Sequence, residues 1–347
     1  MLQNTMFLFI YTETPVHAGT GQGLGTIALP IQRERITGYP IIQASTLKGR
    51  LRAESDPKLN SNSSLDEKGF NIIFGLAGEG GESYAGALSF SDARILLLPV
   101  RSLKGVFAWV TSRQVLQRLQ RDLAIAQERN NNLTPLCNQL SNSLQPIRID
   151  PPEPQTDTDE RWALVGTNSE IVAGNMVVLK EFAYVLKSGG DIGVAVGNLG
   201  KWLAENTLPD DHSAPEYEYW RQALPKHLVI LPEDDFRDFC QFGMEIATRV
   251  ALDSDKKCVS EGPWTEEMLP AETLLYAPLH STPARMPDAP AEMKDAAKVL
   301  EKVRGLNLTR TVLGGDETIG RGIVSLRFLD GVDSARQTEV KNNGTIG

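Results

Sequence analysis

The sequence is poor in several residue types that mark common functions. Its three cysteines, Cys137, Cys240 and Cys258, are far apart and odd in number. They form no CxxC pair, so neither a disulfide framework nor a zinc site is indicated, and free thiols suit a reducing cytoplasm. No apolar run approaches the about 20 residues of a membrane helix. The FLFI run at residues 7–10 has no basic flank before it and is too short for a signal peptide or a span, so no membrane partner is expected. Positive charge is not in excess. A net charge of −9 argues against a protein that coats nucleic acid non-specifically. There is no Walker A motif. The glycines of HAGTGQGLG also miss the dinucleotide fingerprint, because the third glycine counted from Gly19 falls on Leu24 and from Gly21 on Thr26.

What is present is a soluble globular composition, 41% apolar and 23% charged over 347 residues, enough for one large or two ordinary domains. The charge is uneven. Residues 33–52 carry Arg33, Arg35, Lys48, Arg50 and Arg52 against Glu34 alone, a local +4. Acid concentrates in residues 150–160, 210–218 and 233–238. A basic strip on an acidic body points to a defined groove with solvated acidic surface outside it.

Phe7 to Thr12 reads as a buried strand. A glycine-rich loop follows, and Ser45 is a candidate N-cap for a helix over Thr46 to Glu54. Residues 55–68 and 76–83 read as loops, and Ala87 to Val100 as a strand. Ser112 caps an amphipathic helix striped by Val115, Leu116, Leu119, Leu123 and Ile125. Asn130 to Asp159 reads as linker or insertion, and Asp191 to Lys226 gives no clear order. His227 to Leu231 is a strand, and Pro232 opens an acid-started helix. Ile246 to Leu252 and Cys258 to Trp264 flank a polar turn as a hairpin, and strands at Thr273 to Leu279 and Gly322 to Phe328 bracket a helix over Glu292 to Arg304. This mixture without a long βα repeat predicts an α+β fold, and a split βαβ core with large insertions fits it.

Several motifs carry chemistry, each beside a plainer reading. The glycine loop is either a flexible connection or a backbone that lies against a ligand. His17 is either a structural hydrogen-bonder or a group that orients, or gives a proton to, a ribose or phosphate oxygen. Ser45, Thr46, Lys48 and Gly49 form an ordinary helix start or a phosphate-binding one, with free N–H groups, hydroxyls and a cation in the first turn. In Trp264-Thr265-Glu266-Glu267-Met268-Leu269-Pro270 the carboxylate pair is a solvated face, a general base or a metal ligand. Gly314, Gly315, Gly320 and Gly322 around Arg321 make a hairpin loop or a close approach to a phosphodiester or another chain.

In combination, TPVHAGTG, LPIQRE and GYPIIQASTLKGRLR, with WTEEMLP and GGDETIGRG downstream, closely resemble the backbone RAMP subunit of type III-B CRISPR effector (Cmr) complexes, the subunit that forms the filament and cuts RNA. The likeness spans almost the full length. It implies an RRM-like (ferredoxin-like) palm with large insertions, including a thumb-like β-hairpin. One RAMP domain over residues 1–335 is expected, with insertions around 55–85, 130–226 and 246–279 and a disordered tail at 336–347. The implied partners are a CRISPR guide RNA, a complementary target RNA, further copies of the chain and other subunits of the complex. The implied activity is guide-directed cutting of target RNA with a divalent metal such as Mg²⁺, none of it tightly bound.

By the same resemblance, Ser45, Thr46, Lys48 and Gly49 match the guide-binding motif, with Arg50 and Arg321 as further backbone contacts. His17 matches a histidine at the cutting site, and Glu266 a second acidic contribution. Gly314, Gly315, Gly320 and Gly322 match the glycine-rich loop shared by the superfamily. One departure stands out. The family carries an aspartate immediately before LPIQRE, and this chain has Ala28 there. Alanine cannot bind metal, position a 2′-hydroxyl or act as a base, so the chain is expected to bind RNA and to be deficient in cutting. Two origins fit, a substitution introduced to hold an uncut target and a lineage that has lost cutting; the intact surroundings favour the first. Two rival readings are a processing RAMP nuclease acting alone on precursor RNA and a metabolic enzyme with a phosphate-binding glycine loop.

Overall fold

The segment NTMFLFIYT is apolar at almost every position because both of its faces are covered. It forms strand β1 (Asn4–Thr12) at the centre of the molecule, in a computed structural model that describes residues 4–23, 25–61, 63–76, 83–147, 161–209, 214–255 and 258–331. Next in the chain come helices α1 (Ala44–Ser55) and α2 (Glu67–Phe74), strands β2 (Ala93–Arg101) and β3 (Phe107–Ser112), and helices α3 (Arg113–Gln127) and α4 (Thr134–Leu144). Helices α5 (Asp191–Thr207) and α6 (Glu218–His227), strand β4 (Leu228–Leu231) and helix α7 (Glu233–Phe242) follow. The chain then forms β5 (Glu245–Leu252), β6 (Val259–Met268), β7 (Leu274–Ser281), α8 (Ala296–Arg304) and β8 (Ile323–Leu329).

One mixed sheet organises the fold, in the order Arg310–Val312, β8, β1, β7, β2, β3, β4, Trp162–Val165, Phe182–Leu186 and Met176–Leu179. In its central part β8, β1, β7 and β2 are mutually antiparallel neighbours, with Tyr11 opposite Leu274 and Phe9 opposite Arg327. Tyr276 of β7 packs on Phe7 and Phe9 and gives its hydroxyl to Asp122 of α3 at 3.0 Å. Ser281 lies an odd number of residues on and so projects to the other face, where its hydroxyl donates to Ala296 O at the start of α8 at 2.8 Å. Helices on both faces explain the continuous apolar run of β1, each large buried side chain contributing on the order of 2 kcal/mol.

The sequence reading holds for β1, for α7 with Pro232 at its cap position, and for α3, whose Ser112 hydroxyl accepts from Val115 N. It differs in particular places. Ile125 is 57% exposed, and Ala126 takes its place in the buried stripe of α3. Residues 134–144 are a helix rather than linker, because Leu136, Cys137, Leu140 and Leu144 form a buried stripe among Asn, Gln and Ser. A helix also occupies residues 67–74, with Phe70, Ile72, Ile73 and Phe74 buried. The hairpin ends at Met268. Residues 274–281, placed inside the expected insertion, belong to the main sheet between β1 and β2. Residues 336–347, expected to be disordered, lie outside the described residues. Cys137 and Cys240 are buried free thiols, and Cys258 is exposed. Among the described residues no helix is long and apolar enough to cross a membrane.

Candidate functional site

The loop that leaves β1 folds back on itself. Gly19 pairs with Ile31, Thr20 N donates to Pro30 O at 3.0 Å and Gly23 N to Ala28 O at 2.8 Å. The second arm then runs parallel to β6: Ala28 N donates to Thr265 Oγ1 at 3.0 Å and Leu29 N to Thr265 O at 2.9 Å. The loop is therefore ordered by backbone bonds on both sides of its exposed glycines.

His17 lies where these arms meet β6 and the C-terminal glycine-rich loop. Its Nδ1 is 2.7 Å from Glu267 O. A carbonyl only accepts, so Nδ1 carries the proton and neutral His17 keeps Nε2 as an acceptor. Nε2 abuts Gly19, where an added Cβ would sit 2.5 Å away. Gly315 N donates to His17 O at 2.9 Å, and Gly322 N to Pro15 O at 2.9 Å. A Cβ at Gly314 would fall 2.3 Å from His17 O, so this approach requires glycine. Gly320 has positive φ but open space around it.

The two carboxylates of WTEEMLP are not a solvated face. Glu266 is 6% exposed and Glu267 is 2% exposed, and strand alternation sends them to opposite sides. Glu266 accepts from Trp264 Nε1 at 3.1 Å, and its Oε2 lies 2.5 Å from Arg249 Nε without a well-aligned hydrogen bond. Glu267 accepts from Ile31 N at 3.0 Å and pairs with Arg33 at 2.5 Å.

Most of the basic strip is spent inside the fold. Besides Glu267, Arg33 reaches Gly38 O and Cys240 O. Arg50 lies 2.9 Å from Glu54 and 3.7 Å from Glu317, and bonds Thr311. Arg52 donates to Gly75 O and sits over the Phe70 ring at 4.9 Å. Lys48 has no partner among the described residues, nor does exposed Arg35. Arg321 faces the root of the hairpin. Partial burial raises the Glu245 carboxyl, and the nearby Arg321 guanidinium offsets only part of that rise.

Helix α1 begins two residues earlier than expected. Ala44 N is held by Asp92 Oδ1 at 2.8 Å, and Gln43, not Ser45, occupies the cap position, without a side-chain cap bond. Ser45 and Gly49 are exposed in the first turns, Thr46 is half-buried, and nothing stands within 4 Å of a Cβ on Gly49. Sequence reasoning missed the connector between this helix start and the glycine loop. The Gln32 side chain accepts from Gln43 N at 2.8 Å and donates to Gly19 O at 3.1 Å. Glu34 completes the LPIQRE motif by pairing with Arg118 at 2.6 Å. The motif itself was the signal, but the partners lie far along the chain.

The arrangement joins His17, residue 28, the hairpin root and the glycine-rich loop in one place, with the start of α1 tied to it through Gln32. The profile of the RAMP superfamily matches residues 9–325. The chain belongs to the RAMP superfamily. Similar RAMP proteins include the CRISPR system Cmr endoribonuclease Cmr4 of Pyrococcus furiosus, 34% identical over 336 residues, which cover 96% of each chain. The CRISPR system CMR subunit Cmr4 of Saccharolobus solfataricus is 28% identical over 335 residues, 93% of this chain and 96% of that one. Among solved structures, oligomeric Cmr4 from Pyrococcus furiosus superposes with a TM-score of 0.61 at 29% identity, covering 94% of this chain and 98% of that one. A chain of the type III-B Cmr-beta complex bound to cognate target RNA shares the fold, with a TM-score of 0.64 at 22% identity over 94% of this chain and 98% of that one.

A resident metal does not fit this RAMP chain as it stands. Among the described residues no group of three His, Cys, Asp or Glu side chains converges to hold an ion. The carboxylates beside residue 28 already hold Arg249 and Arg33, and alanine at 28 adds no ligand.

Proposed function

We propose that the chain is the guide-RNA-binding backbone subunit of a type III-B CRISPR effector complex, working in the cytoplasm. It stacks with copies of itself and other subunits along the guide and receives a complementary target RNA. Support for this comes from full-length similarity to Cmr4 proteins, one of them named an endoribonuclease and one solved as an oligomer. The observation that carries the RNA-binding part is Lys48. It is the cation of the STLKG turn and has no internal partner among the described residues, while Arg50 and Arg52 are engaged. Exposed Ser45, half-buried Thr46 and the bare backbone at Gly49 complete a turn suited to a phosphate.

The strand order β8-β1-β7-β2 supports an RRM-like palm built from two interleaved halves, β1-α1-β2 and β7-α8-β8. We read β5 and β6 as the thumb, within one RAMP domain over residues 1–335 that also carries insertions around 55–85 and 130–226. His17 and residue 28 form the cutting loop, with Glu266 at its base, Gly314 and Gly315 closing on His17, and Gly320 and Gly322 completing the glycine-rich loop. His17 Nε2 is the group able to take a proton from a 2′-hydroxyl. The family's cutting with a divalent ion such as Mg²⁺ requires a ligand that Ala28 does not supply, and the chain as it stands is a binder.

Titration of guide RNA against the chain and Lys48→Ala, over a range of salt, tests this. The variant is expected to bind more weakly and to lose about one unit of the slope of log affinity against log salt. Equal affinity and slope would overturn the assignment of Lys48.

A further inference from the structure

Glu267 makes bonds to both arms of the cutting loop while having almost no contact with solvent. Its N–H donates to Leu29 O at 3.0 Å and its carbonyl accepts from His17 Nδ1 at 2.7 Å. Its carboxylate accepts from Ile31 N at 3.0 Å and from Arg33 at 2.5 Å. Every polar atom of the residue is thus committed to the segment that carries His17 or to the one that carries residue 28. A carboxylate 2% exposed, with both oxygens occupied by donors, is not placed to move a proton itself. Its neighbour Glu266 faces the other way, toward Arg249 and Trp264.

We propose that Glu267 is the positioning residue of the cutting loop, an inference that rests on the function read above. Its backbone fixes His17 in the tautomer that leaves Nε2 as the proton acceptor. Its carboxylate holds Ile31 and Arg33 and so sets where residue 28 stands relative to that nitrogen. Arg33 transmits the hold further, donating to Gly38 O at 2.8 Å and to Cys240 O in the last turn of α7 at 2.7 Å. Loss of the carboxylate would leave the Ile31 N–H and a half-buried guanidinium without their acceptor.

The test uses the Ala28→Asp chain assembled with guide RNA and its partner subunits, with and without Glu267→Gln. Glutamine keeps the size and an oxygen for Ile31 but loses the charge that holds Arg33. The expected result is a single-turnover cutting rate lowered on the order of 10–100-fold, with assembly and target affinity nearly unchanged. A parental cutting rate overturns the proposal. So does a parallel loss of assembly and target binding, which would make Glu267 a residue of the fold alone. If the Ala28→Asp chain itself does not cut, the reading of the site has failed, and two measurements on the present chain still decide the proposal. Nitrogen-15 NMR is expected to find His17 protonated at Nδ1, and Glu267→Ala to speed amide exchange at Ile31 at least about tenfold. His17 protonated at Nε2, or unchanged exchange at Ile31, overturns it.

Discussion

The Arg249 guanidinium joins the hairpin to the glycine-rich loop: its Nη2 lies 3.0 Å from Asp316 Oδ2, while its Nε lies 2.5 Å from Glu266. The two halves of this bridge differ in burial, so their losses should differ. Asp316→Asn removes a partly exposed partner and is expected to cost about 0.5–1 kcal/mol. Arg249→Ala leaves buried Glu266 without its cation and is expected to cost about 3–5 kcal/mol. Urea unfolding of the two variants checks the order; equal losses would mean that Glu266 does not depend on Arg249.

The glycines of the C-terminal loop should separate by what surrounds them. Gly314→Ala drives a Cβ into the His17 carbonyl from a φ of +86°. It is expected to destabilise the chain by more than about 2 kcal/mol. Gly320→Ala meets open space and bears only the cost of its φ of +79°, about 1 kcal/mol. Thermal midpoints of the pair check this, and similar shifts would argue against the close approach to His17.

Restoring a carboxylate at residue 28 should restore cutting. Labelled complementary RNA, incubated with Mg²⁺ and the assembled complex, is expected to be cut at regular spacing by the Ala28→Asp form and left intact by the Ala28 form. Cutting by both would mean that the catalytic loop centres on another residue. Cutting by neither, with the target still bound, would mean that the site is lost more broadly.

Glu272 provides a pH test of the fold. It forms the turn before β7 with a φ of +68°, takes the Tyr11 hydroxyl on its carboxylate, and accepts from Trp109 Nε1 on its carbonyl. Burial pushes its carboxyl from 4.5 up to about 7. The folded chain therefore holds this proton where the unfolded chain has released it, so stability should fall as pH rises from about 4.5 to 7. Glu272→Gln should remove that part of the decline. Urea midpoints at pH 5 and pH 7.5 measure it, and the same decline in both proteins would reject it.

The elements legible in advance were those with an unbroken local signal. FLFIYT marked β1, and Ser112 with its apolar stripe marked α3. The polar turn between Leu252 and Val259 marked the hairpin. Helix α4 was missed because its four core residues are diluted by Asn, Gln and Ser, and local composition outweighed period. Strand β7 was detected but placed within the insertion expected around 246–279, because nothing in its own residues says that it pairs with Tyr11 and Phe9, more than 260 positions away.

The sequence by itself determined the family and the chemistry at each motif position, including the alanine at residue 28, because these depend only on which residue stands where. Tertiary structure decided which of those residues are free to act. Arg33 reads as a groove cation beside Lys48, yet it closes on Glu267, 234 positions away, while Lys48 stays open. The Glu266–Glu267 pair reads as a solvated face, a general base or a metal ligand, and is buried and cation-bound. Local periodicity reports a residue's face; its partner and its access to water are set by segments that meet only when the chain folds.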